Sequence, residues 1–200
     1  MILAKGTSRR SHWAAAILLV AVCLAAGGLR EIRAQSVEKS YPLRQGQMKL
    51  QLPADWAEET KSPKPGAPLT LAFRPLQGAR FLIRIVASWD ENAGGSFNSD
   101  GRLQEITMAA GNQFLPRAVE KQLKLQEIKG ESVRGYYFLL TDKAPRAGDY
   151  EVMAQGAASL DGALILFTYL GYPGGEAELQ KLLSVLCSAS LTATALPRPQ

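Results

Sequence analysis

Two hundred residues, 46% of them hydrophobic, suffice for one domain with a sizeable core. The formal charge of +5 sits mostly at the N-terminus: residues 1–34 carry Lys5, Arg9, Arg10, Arg30 and Arg33 against Glu31, so the rest of the chain holds 18 basic and 17 acidic residues, a net charge of about +1. That balance removes the electrostatic argument for nucleic-acid binding.

In chain order, Lys5, Arg9 and Arg10 precede an apolar run from Trp13 to about Ala26, then small residues and a short polar stretch to Ala34. This is the arrangement of a secretory signal. Cleavage is expected after Ala34, with Ile32 and Ala34 at the recognition positions, and after Gly28 as the second choice. The alternative is an uncleaved anchor, although Trp13 to Leu29 is only 17 residues, the short limit for a spanning helix. Val22 before Cys23 is bulkier than a lipobox usually allows. His12 and Trp13 do not suit a twin-arginine signal at Ser8-Arg9-Arg10. The single histidine, His12, lies in this segment, and past it Cys187 is the sole cysteine. A Ser-His-Asp triad, a Cys-His pair, a histidine-held zinc or haem and an internal disulfide are thereby excluded from residues 35–200.

Gln35 to Gln47 is polar and aperiodic, read as a flexible lead-in. Met48 to Leu52 alternates as a half-buried strand, followed by a Pro53-Ala54-Asp55 turn and Trp56, an aromatic that packs over a sheet edge. The proline-rich Lys61 to Pro68 is a loop. Leu69 to Phe73 and Arg80 to Trp89 are strands, the second with Phe81, Ile83 and Ile85 on one face and Leu82, Arg84 and Val86 on the other. The acidic loop Asp90 to Asp100 places Asp90, Asn92 and Gly95 as a calcium loop would. Gly94 then occupies a ligand position, however, and Gly101 stands where the bidentate glutamate belongs, so no metal is expected. Ser99 or Asp100 caps a helix from Gly101 to Phe114, with Leu103, Ile106, Thr107, Ala110 and Phe114 on one face. After Pro116, Gln122 to Ile128 reads as an edge strand.

Val133 to Thr141 and Ala163 to Leu170 are apolar at odd and even positions, with Asp149 to Ala157 between them, so the pattern asks for a sheet covered on both sides and for deep burial of Leu166. Lys143 to Gly148 cannot continue a strand and must link antiparallel partners. A final helix, Glu176 to Ser188, carries Leu179, Leu182, Leu183, Leu186 and Ser190 on one face, with Cys187 bordering it as a buried, inert thiol. The expectation is an α+β fold, a mostly antiparallel sheet sandwiched between helices in α/β/α layers. The segments are a signal peptide (1–34), a lead-in (35–46), one domain (47–190) and a disordered tail (191–200).

Met48-Lys49-Leu50-Gln51-Leu52-Pro53-Ala54-Asp55-Trp56, followed by long hairpins and a last helix, resembles the Mog1/PsbP-like fold, particularly the small exported bacterial proteins of the DcrB/PsbP group. Gly135-Tyr136-Tyr137-Phe138 and Gly148-Asp149-Tyr150 are similar to pieces of exported members. The similarity covers about Gln47 to Ser188 through short, mostly structural motifs. It implies a binding or assembly factor rather than an enzyme, with no shared catalytic residues.

No nucleotide, metal, cofactor or nucleophile motif is present. The leading expectation is therefore a monomeric, non-catalytic envelope protein, periplasmic or secreted, that binds a partner or ligand, with no cofactor and no nucleic acid, and with membrane contact only if the leader stays attached. The alternative is a carboxylate-dependent hydrolase, because Asp142, Asp149 and Glu151 cluster around one loop; acidic residues at strand ends are ordinarily turn chemistry. The partner-binding surface is expected on the same loop, where Asp142, Lys143, Arg146, Asp149 and Tyr150 bring both charge signs and an aromatic together. Against this stands an ordinary hairpin end, with Tyr150 packed inward and the charges free in water.

Overall fold

The computed structural model describes residues 35–43, 46–59, 67–89 and 98–193, all within one compact unit, Gln35–Gln200. The leader, most of the proline-rich loop, Asp90 to Phe97 of the acidic loop and residues 194–200 lie outside the described residues. The alternation at Met48 to Leu52 gives a strand with buried Met48, Leu50 and Leu52. That strand, β2 (Gly46–Pro53), is the middle of a three-stranded antiparallel sheet between β1 (Ser36–Leu43) and β10 (Ser190–Ala193). Both outer strands correct the sequence reading where they fall, β1 within the expected flexible lead-in (35–46) and β10 over the first residues, 191–193, of the expected disordered tail, the rest of which lies outside the described residues. Their regularity comes from pairing with β2, Ser36 opposite Pro53 and Ser190 opposite Lys49, rather than from any period of their own.

The larger sheet has seven antiparallel strands: β3 (Trp56–Glu58), β4 (Leu69–Pro75), β5 (Leu82–Ser88), β6 (Gln126–Lys129), β7 (Val133–Thr141), β8 (Val152–Leu160) and β9 (Ala163–Gly171). Their order is β3-β4-β5-β9-β8-β7-β6. The short polar β6 is an edge, as read from its sequence. The β8–β9 turn needs two left-handed residues, Asp161 at φ 45° and Gly162 at φ 96°, the geometry of tight hairpins. With helices α1 (Asp100–Phe114) and α2 (Glu176–Cys187), the fold is α+β with mostly antiparallel sheets.

The two faces of the large sheet are covered unequally. Ile83, Ile85, Ile165, Phe167 and Tyr169 join Leu179, Leu182, Val185 and Leu186 of α2 and the buried side chains of β2 in the main core. The opposite face carries α1, packed chiefly over β7 and β8 and reaching β9 at Leu164. Leu103 packs there with Ala157 and Leu164, and Phe138 and Leu140 pack with Ala118. Toward β5 and β4 this face opens, and Thr70, Arg74 and Arg84 are exposed. Leu166 sits on that face at the limit of the cover and is only partly buried, so the expected deep burial is wrong; its neighbours Ile165 and Phe167, 2% and 1% exposed, hold the deep positions. Trp56, on the edge strand β3, packs on Phe73 and Phe81 and donates its Nε1 hydrogen to Glu178 Oε2 at 3.2 Å.

Candidate functional site

The β7–β8 connection is held along both legs. On the outgoing leg, the Thr141 amide and hydroxyl donate to the two carboxylate oxygens of Glu120 at 2.9 and 3.0 Å, and the Val119 amide donates to the Thr141 carbonyl at 2.8 Å. Next, Asp142 bridges Ala118 while the Lys143 amide donates to the Arg117 carbonyl at 3.0 Å. The 3₁₀ turn Leu115–Arg117, which follows α1, is thereby bound to the start of the loop. On the return leg the Asp142 amide donates to the Glu151 carbonyl at 2.8 Å, and the Glu151 amide to the Gly171 carbonyl at 2.9 Å. The Asp142 side chain accepts from the Ala144 amide at 3.0 Å, a short-range link typical of aspartate in turns.

Between this turn and the sheet lies a cleft of about 160 Å³. Leu140, Met153 and Leu170 form its floor; they are direct cross-strand partners on β7, β8 and β9, so one row of the sheet supplies three apolar side chains. Phe114, 39% exposed at the end of α1, and buried Ala118 form one wall. The rim is polar, with Arg117, Thr141, Asp142, Tyr150 and Glu151. Arg117 Nη2 lies 3.7 Å from Asp142 Oδ2, but the guanidinium side chain is 76% exposed, so this pair contributes at most about 1 kcal/mol. The half-buried Glu151 side chain forms no hydrogen bond or ion pair among the described residues. Tyr150 is fixed from outside the cleft: its ring centre lies 5.6 Å from that of Tyr172, and the Arg80 guanidinium carbon stands 5.8 Å over it.

Of the five loop residues singled out from the sequence, Asp142 and Tyr150 line the cleft. Lys143 turns away, its ammonium donating to the Pro116 carbonyl at 2.7 Å. Arg146 and Asp149 are exposed at the loop tip and do not line it. Among the three clustered carboxylates, Asp142 and Glu151 reach the cleft and Asp149 does not. Tyr150 is partly packed, and Asp142 and Lys143 have partners. The floor was missed because Leu140, Met153 and Leu170 converge only through strand register; Arg80 and Tyr172 likewise reach Tyr150 only through the sheet order. A wider depression of about 410 Å³ at the other end of β7 and β8 is lined largely by turn and polar residues such as Ser132, Arg134 and Asp161. Among the described residues no group of three or more His, Cys, Asp or Glu side chains is placed to hold a metal, and no helix is long and apolar enough to cross a membrane.

No family model and no curated protein matches the chain. Among solved structures, a protein of Bacteroides thetaiotaomicron VPI-5482 is similar with a TM-score of 0.46 and 14% identity, over 76% of this chain and 47% of that one, so the chain spans about half of its length. LpqN, involved in cell envelope biogenesis of Mycobacterium tuberculosis, is similar with a TM-score of 0.46 and 13% identity, over 82% of this chain and 94% of LpqN. These are distant likenesses and carry no argument about activity. Neither names the Mog1/PsbP-like fold.

Proposed function

We propose that this protein is an exported, non-catalytic envelope protein that binds a protein partner through the cleft beside the β7–β8 loop. The observation that carries this reading is the size and make-up of the cleft. Sites for small organic ligands run to about 300–1,000 Å³, whereas a dry cavity of about 150 Å³ holds one benzene ring. A cleft of about 160 Å³ with an apolar floor and a polar rim therefore suits one inserted apolar side chain, the usual anchor of a protein interface. The hydrogen-bonded legs of the loop keep the walls in place before binding, which limits the ordering cost. The signal-like residues 1–34 support the export half of the proposal.

Site-specific photocrosslinking in intact cells tests it. A benzoylphenylalanine in place of the exposed Phe114 should give a discrete adduct with one envelope protein; the same group in place of Val37, 49% exposed on β1, should not. Adding Leu170→Arg, which puts a charge into the floor, should abolish the adduct while circular dichroism stays native. An adduct unaffected by Leu170→Arg, or shared equally with the Val37 position, would overturn the cleft as the binding site. Recovery of the envelope form with Met1 still attached would replace export by anchoring.

A further inference from the structure

Resting on that reading, we propose that the cleft selects an apolar side chain adjoined by a basic one, in an exposed segment of a protein partner. Charge is the first reason. The lining carries one cation, Arg117, against two carboxylates, Asp142 and Glu151. Asp142 already has Arg117 and the Ala144 amide beside it. Glu151 has neither a cation nor a donor among the described residues, yet it is half buried. Its carboxylate oxygens are therefore open to a charge-assisted hydrogen bond from an incoming ammonium or guanidinium.

An acidic partner is met less well, because each nearby cation already has a neighbour. Lys143 is directed to the Pro116 carbonyl, Arg80 lies over Tyr150, and Arg117 faces Asp142. The floor accounts for the apolar half. Met153 lies at its centre between Leu140 and Leu170, and an unbranched thioether adapts to leucine, isoleucine, methionine or phenylalanine alike. Shape selection at the floor is therefore loose, and Glu151 supplies the discrimination.

The test is a titration followed at the Met153 methyl resonance. The probes are a blocked tetrapeptide with leucine followed by lysine, its analogue with glutamate in place of lysine, and hexylamine as a small amine. The lysine peptide should bind about ten-fold more tightly than the glutamate peptide, the discrimination expected of one hydrogen bond to a charged group. Glu151→Gln, a change of nearly equal volume at a residue without side-chain partners, should reduce that preference to about two-fold or less. Equal binding of both peptides, or a preference that survives Glu151→Gln, would overturn the charge selection while leaving the cleft as a docking site. Hexylamine binding as tightly as the lysine peptide would overturn the peptide partner in favour of a small amine. No Met153 response to any probe would overturn the proposal itself, and the Phe114 crosslink would then decide separately whether the cleft is used at all.

Discussion

Leu166 and Phe167 are adjacent on β9 and face opposite sides. Phe167, 1% exposed, points into the main core with its ring centre 6.4 Å from that of Tyr137. Leu166 points to the α1 side and packs only at the margin of the small cluster around Leu103. Phe167→Ala should therefore cost about 3–5 kcal/mol, a transfer and cavity loss in a site that cannot collapse, whereas Leu166→Ala should cost about 1 kcal/mol, below the range for fully buried leucines. Urea unfolding of the two variants checks this, and equal midpoints would contradict the one-sided cover. The sequence shows apolar residues at both parities of β9 and so establishes that both faces touch something. It does not show that α1 stops short of β5, because the width of a covering layer is set by packing between residues far apart in the chain.

Elements with their own period or punctuation were legible, and α1 illustrates why. Ser99 and Asp100 were equal candidates for its cap. The structure assigns the cap to Ser99, whose backbone is extended (φ −62°, ψ 157°) and whose hydroxyl accepts from the Arg102 amide at 3.4 Å. Asp100 begins the helix and instead accepts from the Tyr136 hydroxyl at 2.8 Å. Since the capping bond is long, Ser99→Ala should cost about 0.5–1 kcal/mol and Ser99→Gly only a few tenths. A thermal melt of each variant measures the difference, and a Ser99→Ala melt matching the wild type would remove Ser99 as the cap. β7 was read with its observed limits, and β9 and α2 to within a residue, because apolar runs and turn residues bracket them. β1 had no such signal: Ser36 to Ser40 are exposed, and the strand exists because β2 lies beside it. The candidate site divides the same way. Its loop is visible as Pro145, Gly148 and a cluster of charges, but its floor is a row across three strands and the Arg117 of its rim comes from the turn after α1.

At the scale of the whole molecule, two sheets are joined without a disulfide, Cys187 being a free thiol. The junction is the main core together with polar ties from β1 to β3, where Tyr41 and Lys39 donate to Glu58 at 3.0 and 2.8 Å, while Lys181 of α2 donates to Asp55 in the β2–β3 turn at 2.8 Å. Three of the phenols in this core sit where ionisation is disfavoured. Burial pushes the Tyr41 pKa well above its ordinary 10.0, with the bond to Glu58 and its negative charge adding to the effect. Burial also raises Tyr137 and Tyr169, the latter with help from the charges of Glu178 and Glu176. In the unfolded chain these phenols lose their protons near pH 10, while in the folded chain they keep them. The folded state therefore binds more protons above that pH, and stability must fall as the pH rises through it. Urea midpoints should be lower at about pH 11 than at about pH 8. Tyr41→Phe should lower the midpoint at pH 8 through loss of one hydrogen bond to a charged group, about 1.5–3 kcal/mol, and should shrink the alkaline drop because one of the three resisting protons is gone. A midpoint independent of pH over this interval, or a drop as large in Tyr41→Phe as in the wild type, would mean that Tyr41 is not held between the two sheets as the structure has it.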